Sequence, residues 1–318
     1  MKNEKLSRTF LLGACLLTLS LASHATGLFR AYLASTGNDA NLCTVNAPCR
    51  LLPAALAAVT DGGEVWMLDS ANYNTSTVAI AKSVTILAVP GAVGSLVATG
   101  AGPAISVGGT GANVVLRNLV IVPLAGGSPG TWGAIVDAPN QLTLENTIVS
   151  GNVSGGVLSQ GGRLRILNSV IRDNQGDGVL ASGGTAYIVS SRIQGNAGVG
   201  AEMDAAPAPG VVGVVTDTVV SGNGSGLVTL GFNPGDTSRV SVTRSVFANN
   251  TGQGIGVFDE SSGLPGDLVL SIGNSAITDN GTVGWNQGGA GAVLETPQNN
   301  VIQNPLNGSG TSTLLILQ

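Results

Sequence analysis

The chain has 318 residues, of which 10% are charged, 3% are aromatic and 48 are glycine, and its formal net charge is −5 at pH 7. An acidic chain of this kind has no electrostatic reason to bind nucleic acid or an anionic lipid surface. Its single histidine is His24, which lies in a segment that we expect to be cleaved off. Without histidine, zinc sites based on His and Ser-His or Cys-His nucleophiles are excluded, so chemistry must come from carboxylates, arginine, tyrosine, hydroxyl groups or bound Ca²⁺.

Residues 1–25 have the pattern of a Sec-type signal peptide. A basic start precedes an apolar stretch at residues 10–22 that is too short to span a bilayer, and a small-x-small cleavage site follows at residues 23–25. A lipoprotein signal cut at Cys15 is an alternative, but the apolar run continues past that residue. We therefore expect an exported protein, secreted, periplasmic or on the cell surface, with no later segment able to span a membrane.

After cleavage, the chain keeps two cysteines, Cys43 and Cys49. In an exported chain, two cysteines this close most simply form a disulfide that closes a small loop. The Ala/Leu-rich residues 51–59 predict one short helix, with Pro53 in its first turn. Such a helix would cover the open end of the β-structure that follows it, so we expect an N-terminal cap region at residues 26–63.

Short β-rich runs alternate with Gly, Asn and Ser turns along the rest of the chain. The cap region itself begins with a short strand around residues 30–33. Beyond it, we predict strands at residues 64–68, 84–87 and 114–122, and β-structure throughout residues 64–318.

A repeated frame organises the second half of the chain. A polar residue is followed by an apolar residue three places later, an Asn six places later, and then Gly with an apolar neighbour. The frames begin at Asn146, Asn168, Ser190, Asp217, Arg244 and Asn274. Their spacing is 22 residues at first and later reaches 27 and 30. A repeat of this length indicates a solenoid, and three short strands with three turns fit one turn of a parallel β-helix.

The apolar and Asn positions of the frame predict the inside of this solenoid. We expect the apolar residues, such as Ile171, Ile193 and Val220, to stack in one buried column. We expect the Asn side chains to hydrogen-bond from rung to rung in a ladder, at Asn152, Asn174, Asn196, Asn223, Asn250 and Asn280. The alternative is N-glycosylation at Asn152 or Asn223, which requires exposed positions.

This rung pattern, from about residue 83 to residue 317, resembles a known family. Together with the signal peptide, the cysteine loop and the capping helix, it is similar to secreted right-handed parallel β-helix repeat proteins of the pectate-lyase-like superfamily. The resemblance implies an all-β fold, a right-handed parallel β-helix (solenoid) with a short N-terminal capping helix. Characterised members mostly cleave or modify acidic polysaccharides, but one fold carries many activities, so function must be judged from the residues.

The motifs of polygalacturonase-like hydrolases are largely missing from this chain. Residues 174–178, Asn-Gln-Gly-Asp-Gly, resemble the family's Asn-Thr-Asp-Gly only distantly. No Asp-Asp pair occurs, no histidine follows residue 25, and Arg192-Ile193 is followed by Gln194 where the family has Lys. The sequence therefore does not predict a hydrolase of that type.

Three carboxylates on adjacent rungs form the first candidate site. A pectate lyase needs carboxylates for Ca²⁺ and an Arg or Lys base; here Asp177, Glu202 and Asp204 lie on neighbouring rungs, and Arg192 is close in sequence. The offset between Asp177 and Glu202 corresponds to about 10 Å, too far to share an ion whose ligands lie at about 2.4 Å. We therefore expect no cofactor; Ca²⁺ is conceivable, but no motif supports it.

Arg165 and Tyr187 form the second candidate site, in one outward column on neighbouring rungs. Thr143 completes the column, and Arg163 and Glu145 flank it. An Arg beside an aromatic ring can hold an acidic sugar by a charged hydrogen bond and by stacking. The alternative is a cross-strand pair that only covers the sheet.

The function that the sequence favours is a surface or periplasmic binding or structural module without a demonstrable catalytic centre. Polysaccharide is the expected ligand, by analogy of fold. Its candidate binding residues are Arg165, Tyr187, Asp177, Glu202 and Asp204. The alternative is a polysaccharide lyase or another carbohydrate-active enzyme that uses arginine and carboxylates.

Overall fold

The structure, a computed structural model, describes residues 27–124, 126, 130–205, 210–262 and 264–314. The predicted signal peptide and its cleavage site lie outside the described residues. Within them, each turn of the chain adds one strand to each of three parallel sheets, here called sheet 1, sheet 2 and sheet 3 in the order in which the chain visits them. The sheets contain 12, 10 and 10 strands. The predicted parallel β-helix is therefore confirmed.

The strands of each sheet are given in their spatial order. Sheet 1 consists of Leu28–Leu33, Val59–Met67, Val84–Ala88, Asn113–Arg117, Gln141–Glu145, Arg163–Leu167, Gly184–Val189, Val211–Thr216, Thr237–Thr243, Asp267–Gly273, Ala292–Thr296 and Ser312–Leu314. Sheet 2 consists of Ala71–Asn72, Gly94–Ala98, Leu119–Pro123, Ile148–Ser150, Val170–Arg172, Arg192–Gln194, Val219–Ser221, Val246–Ala248, Ala276–Thr278 and Val301–Gln303. Sheet 3 consists of Val78–Ile80, Ile105–Val107, Trp132–Asp137, Gly155–Gln160, Asp177–Ser182, Val199–Asp204, Ser225–Gly231, Ile255–Asp259, Trp285–Gly288 and Gly308–Ser309.

The corner between sheets 1 and 2 is made by a residue in the left-handed backbone region. At Asn118, φ is +56°, and the chain turns there from one sheet to the next. The prediction of a single strand over residues 114–122 is therefore wrong, because this corner divides it into Asn113–Arg117 and Leu119–Pro123. Each of the six frame-starting polar residues has the same conformation, with φ between +48° and +52°. Asn and Asp tolerate this region better than most residues, which explains their frequency here.

The apolar residues of the frame fill the core, as the sequence predicts. Ile171, Ile193 and Val220 are fully buried and pair directly on neighbouring strands of sheet 2. At one end of this core lies the single helix of the described residues, α1 (Leu52–Ala58), which buries Leu52, Ala55 and Leu56. The ammonium group of Lys82 donates to the carbonyl oxygens of Leu56 and Val59 at 2.8 Å, where a helix C-terminus favours a cation.

The predicted asparagine ladder is present and buried. The Nδ2 of each Asn donates to the Oδ1 of the Asn one rung further on, at 2.8–3.1 Å. The backbone N–H of the same residue donates to that oxygen as well. The ladder also includes one residue that the frame does not contain, Asn304, which accepts from Asn280 at 2.9 Å. Asn152 and Asn223 are buried, whereas N-glycosylation requires exposed positions.

A second ladder is made of hydroxyl groups, on the residues that come directly after the left-handed corner residues. Its buried members are Thr147, Ser169, Ser191, Thr218, Ser245 and Ser275. The backbone N–H of each of the first five donates to the hydroxyl oxygen one rung further on. Every frame has Ser or Thr at its second position, so the sequence carries a signal for this ladder too. The two ladders satisfy buried polar groups at two different corners of the solenoid.

The predicted disulfide between Cys43 and Cys49 is confirmed. Both cysteines are buried, and Cys49 pairs with the end of the first strand through a bridge to Leu33. The described part of the chain contains no helix that is long and apolar enough to cross a membrane.

Candidate functional site

Arg165 and Tyr187 lie directly opposite each other on neighbouring strands of sheet 1, with their side chains on the outer face. Gln141, Arg163 and Thr185 form the adjacent column in the same register. These five residues line a groove of about 430 Å³, which we call the sheet-1 groove. Arg163 and Arg165 are two positions apart on one strand, so their Cα atoms are about 7 Å apart. Gln141 and Thr185 are groove residues that were not predicted from the sequence.

Both guanidinium groups in this groove are unpaired. Most other arginines of the described residues bind a carboxylate, in the pairs Arg30–Glu64, Arg117–Glu145, Arg172–Asp173, Arg239–Asp267 and Arg244–Asp217. Arg50 donates to the carbonyl oxygen of Asn72. Among the described residues, only the guanidinium groups of Arg163, Arg165 and Arg192 make neither a hydrogen bond nor an ion pair. Two of these three free cations therefore belong to the sheet-1 groove.

The ring of Tyr187 is also free. Its side chain is 38% exposed, and the cation–π contacts of the described residues are Arg30 with Trp66 and Arg50 with Tyr73, not Arg165 with Tyr187. Because the Tyr187 ring and the Arg165 guanidinium group do not stack on each other, both can contact a ligand. The groove thus combines two charged donors, an aromatic face and the polar side chains of Gln141 and Thr185.

The three candidate carboxylates lie elsewhere, on sheet 3. Glu202 and Asp204 are two positions apart on Val199–Asp204 and pair with Leu180 and Ser182 on the preceding rung. The Oδ2 of Asp204 accepts a hydrogen bond from the Ser182 hydroxyl at 3.2 Å. Asp177 begins the preceding strand, and its Oδ1 accepts from the backbone N–H of Val199 at 2.8 Å. The structure therefore brings Glu202 and Asp204 together, with Asp177 nearby.

Burial makes these carboxyl groups weaker acids than usual. Desolvation, the negative charges of Asp204 and Asp177 and a hydrogen bond with Asp204 together raise the pKa of Glu202 to about 8. Desolvation also raises the pKa of Asp204 and that of Asp177. With its pKa near 8, Glu202 keeps its proton near neutral pH, so the Glu202–Asp204 pair then carries at most one negative charge.

No arginine of the described residues joins this acidic group. Arg165 is on sheet 1 and Arg192 is on sheet 2, whereas the carboxylates are on sheet 3. Within the described residues, no three Asp, Glu, His or Cys side chains are arranged to hold a metal ion. The elements that a lyase would combine, a carboxylate cluster and a basic residue, are therefore on different faces of the solenoid.

The raised pKa of Glu202 predicts that stability falls as pH rises. The pKa of Glu202 is about 8 in the folded chain, compared with an ordinary value of 4.5. Between these two pH values, the folded chain binds more protons than the unfolded chain, so stability is lost as pH increases through this window. We expect the free energy of unfolding, measured with urea, to be lower by roughly 1–3 kcal/mol at pH 8 than at pH 5. This is less than the free energy that corresponds to the whole pKa shift, because the carboxyl group is partly solvated.

Replacing Glu202 by Gln should remove most of this pH dependence, because the amide does not titrate. Glu260→Gln, at an exposed position, is the matched control and should keep the dependence of the parent. Equal pH dependence in the parent and in Glu202→Gln would contradict the assignment of the shift to this residue.

Comparison with known proteins defines the family. Residues 132–306, more than half of the chain, match the family model described as "Right handed beta helix region". The chain therefore belongs to the right-handed β-helix family. The comparison with curated protein sequences finds no match.

Solved structures with the same architecture support the assignment of the fold. The pectate lyase Pel9A superposes with a TM-score of 0.69 at 19% identity, over 90% of this chain and 78% of its own. An alginate lyase from Paenibacillus sp. str. FPU-7 gives 0.64 at 14% identity, over 82% and 96%. XylC, solved in complex with xylose, gives 0.61 at 10% identity, over 88% and 69%. At these identities the likeness shows a pectate-lyase-like right-handed parallel β-helix and does not show an activity.

Proposed function

We propose that this protein is an exported binding module that holds an acidic polysaccharide in the sheet-1 groove. The observation that carries the proposal is the pair of unpaired guanidinium groups, Arg163 and Arg165, beside the exposed ring of Tyr187. An unpaired, solvated cation gains a charged hydrogen bond when a carboxylate arrives, and the ring offers a face for the sugar. Two of the similar structures are named as lyases of pectate and of alginate.

We infer that the protein is exported. The disulfide between Cys43 and Cys49 supports it, because disulfides persist in oxidising compartments and are rare in the cytosol. The signal-peptide pattern of residues 1–25 supports it independently.

Binding is favoured over catalysis by the separation of the charged groups. The alternative, a polysaccharide lyase, needs a base close to carboxylates that bind the acidic sugar through a cation. Here Arg165 is on sheet 1, and Glu202 and Asp204 are on sheet 3. A sugar bound at one face is out of reach of the groups on the other.

We expect Arg165→Ala to weaken binding of oligogalacturonate or oligoalginate about tenfold or more, the effect of losing one charge-assisted hydrogen bond. Tyr187→Ala should weaken it severalfold. The matched control is Arg192→Ala, which removes an equally unpaired guanidinium from sheet 2 and should change affinity less than twofold. Affinities are measured by calorimetry at two salt concentrations, and binding should weaken as salt rises.

Two results would contradict this proposal. Equal losses in Arg165→Ala and Arg192→Ala would mean that only net charge matters. Release of unsaturated uronides by the parent, lost in a folded Arg165→Ala variant, would replace binding with the lyase alternative.

A further inference from the structure

The outer face of sheet 1 continues beyond the sheet-1 groove as an apolar surface. Thr185 and Tyr187, at the end of the groove, pair with Val212 and Val214 on the next rung. Two rungs further on, Val269 lies in the same column as Val212. These three valines, here called the valine surface, help to line a second cavity of about 200 Å³. The two cavities therefore follow one another along the long axis of the solenoid, in the same columns of side chains.

The valine surface is accessible to solvent. Val212 is 47% exposed, and Val214 and Val269 are half-buried. Hydrocarbon on the outer face of a sheet gains free energy when a ligand removes it from water. Because this surface adjoins the sheet-1 groove in register, a polysaccharide chain that lies along the groove continues over it.

The charges of this face change along the same direction. The groove contains unpaired guanidinium groups, whereas Arg239, beside the valine surface, pairs with the carboxylate of Asp267. Arg239 also donates to the carbonyl oxygens of Ser238 and Asp267 at 2.8 Å. On the following rung, Glu295 accepts from the Ser271 hydroxyl at 2.6 Å and has no ion pair within the described residues. A ligand carboxylate is therefore attracted in the groove but finds no free cation at the valine surface.

We propose that the chain bound in the sheet-1 groove is a partly esterified uronan, with a free uronate at the two groove arginines and an uncharged methyl ester over Val212 and Val214. This inference rests on the proposed function, because it concerns the same bound chain. One rung advances the protein surface by about 4.8 Å, close to the length of one sugar unit. The two rungs from Arg165 to Val214 thus correspond to two units.

A chain with only free acids fits this face less well. Its carboxylate at the valine surface would lie beside hydrocarbon and near Glu295, and the nearby guanidinium of Arg239 is already paired. A charge that loses water without gaining a partner costs free energy. A methyl ester removes this charge and also adds a carbon atom that the valines can cover. A uronamide would remove the charge but present a polar amide to the valines, so the two effects can be separated by experiment.

The test uses trimers of galacturonate that differ only at their carboxyl groups. Calorimetry compares the trimer of free acids with the two terminal monomethyl esters, the two terminal monoamides and the fully esterified trimer. We expect one of the terminal monoesters to bind at least threefold more tightly than the free trimer, the effect of covering one methyl group. The amide at the same position should bind more weakly than this ester. The fully esterified trimer, which has no carboxylate for the arginines, should bind at least tenfold more weakly than the monoester.

Variants locate the ester. The double replacement Val212→Thr and Val214→Thr exchanges a methyl group for a hydroxyl at each position and keeps the β-branched shape. In this variant the monoester and the free trimer should bind about equally. The matched control is Val301→Thr, at an exposed strand position of sheet 2, which should keep the preference of the parent. Arg165→Ala should weaken the binding of both trimers by the same factor, and thermal melting establishes that each variant is folded.

Three results would overturn the inference. If the free trimer binds at least as tightly as both monoesters, no ester is recognised, although the proposed function stands. A preference for the monoester that persists in the double valine variant would place the ester away from the valine surface. If no form of the trimer binds, the inference and the proposed binding of galacturonate fail together.

Discussion

Replacing Ile193 by Asp is expected to abolish cooperative unfolding. The side chain of Ile193 is fully buried between those of Ile171 and Val220 in the core column. A carboxylate there has neither a partner nor water, and the cost exceeds about 5 kcal/mol, comparable with the whole stability of a typical domain. Circular dichroism during heating should show a broad, non-cooperative change where the parent shows a sharp transition.

The matched control keeps the position apolar. Ile193→Val removes one methylene group from the same place and should cost about 1 kcal/mol, with the transition still sharp. An Ile193→Asp variant that melts within a few degrees of the parent would show that this column is not part of the core.

Removing one asparagine from the ladder is expected to cost about 1–3 kcal/mol. The Oδ1 of Asn196 accepts from the backbone N–H and the Nδ2 of Asn174, at 3.1 and 2.8 Å. Its Nδ2 donates to the Oδ1 of Asn223 at 2.9 Å and to the carbonyl oxygen of Ile171 at 3.3 Å. Asn196→Ala leaves these buried groups without their partner, and urea unfolding measures the loss of free energy.

Asn113→Ala is the control for this experiment. Asn113 is exposed on sheet 1, its side chain makes no hydrogen bond within the described residues, and its loss should change stability by less than about 0.5 kcal/mol. If the Asn196 and Asn113 variants unfold at the same urea concentration, the ladder does not contribute to stability.

The architecture was predictable because the repeat is visible in the amino-acid sequence. A polar, apolar, Asn and Gly frame that returns every 22 to 30 residues can bury its apolar face only against its neighbours. The stacking of Ile171 on Ile193 and the bonds between Asn174 and Asn196 follow from the same frame. The corner at Asn118 was missed because the residues on both sides of it, from 114 to 122, are β-rich. A single Asn permits the left-handed backbone conformation but does not require it.

The candidate sites were predictable only in part. Sequence register alone indicated that Arg165 and Tyr187 share a column. That Arg165 and Arg163 lack a carboxylate partner, while Arg117 has Glu145, depends on side-chain directions that spacing does not determine. The desolvation of Glu202 depends likewise on its flanking residues, Leu180 and Val228, which come from other rungs and are distant in sequence.

The asparagine ladder also gives the solenoid an electrical direction. Every link has the same sense, with the amide nitrogen donating toward the C-terminal rung, from Asn152 through to Asn304. At the N-terminal end of the ladder, the Oδ1 of Asn152 has no hydrogen-bond partner within the described residues. Side-chain dipoles aligned in a buried row reinforce one another, so one corner of this molecule carries a fixed dipole parallel to its long axis.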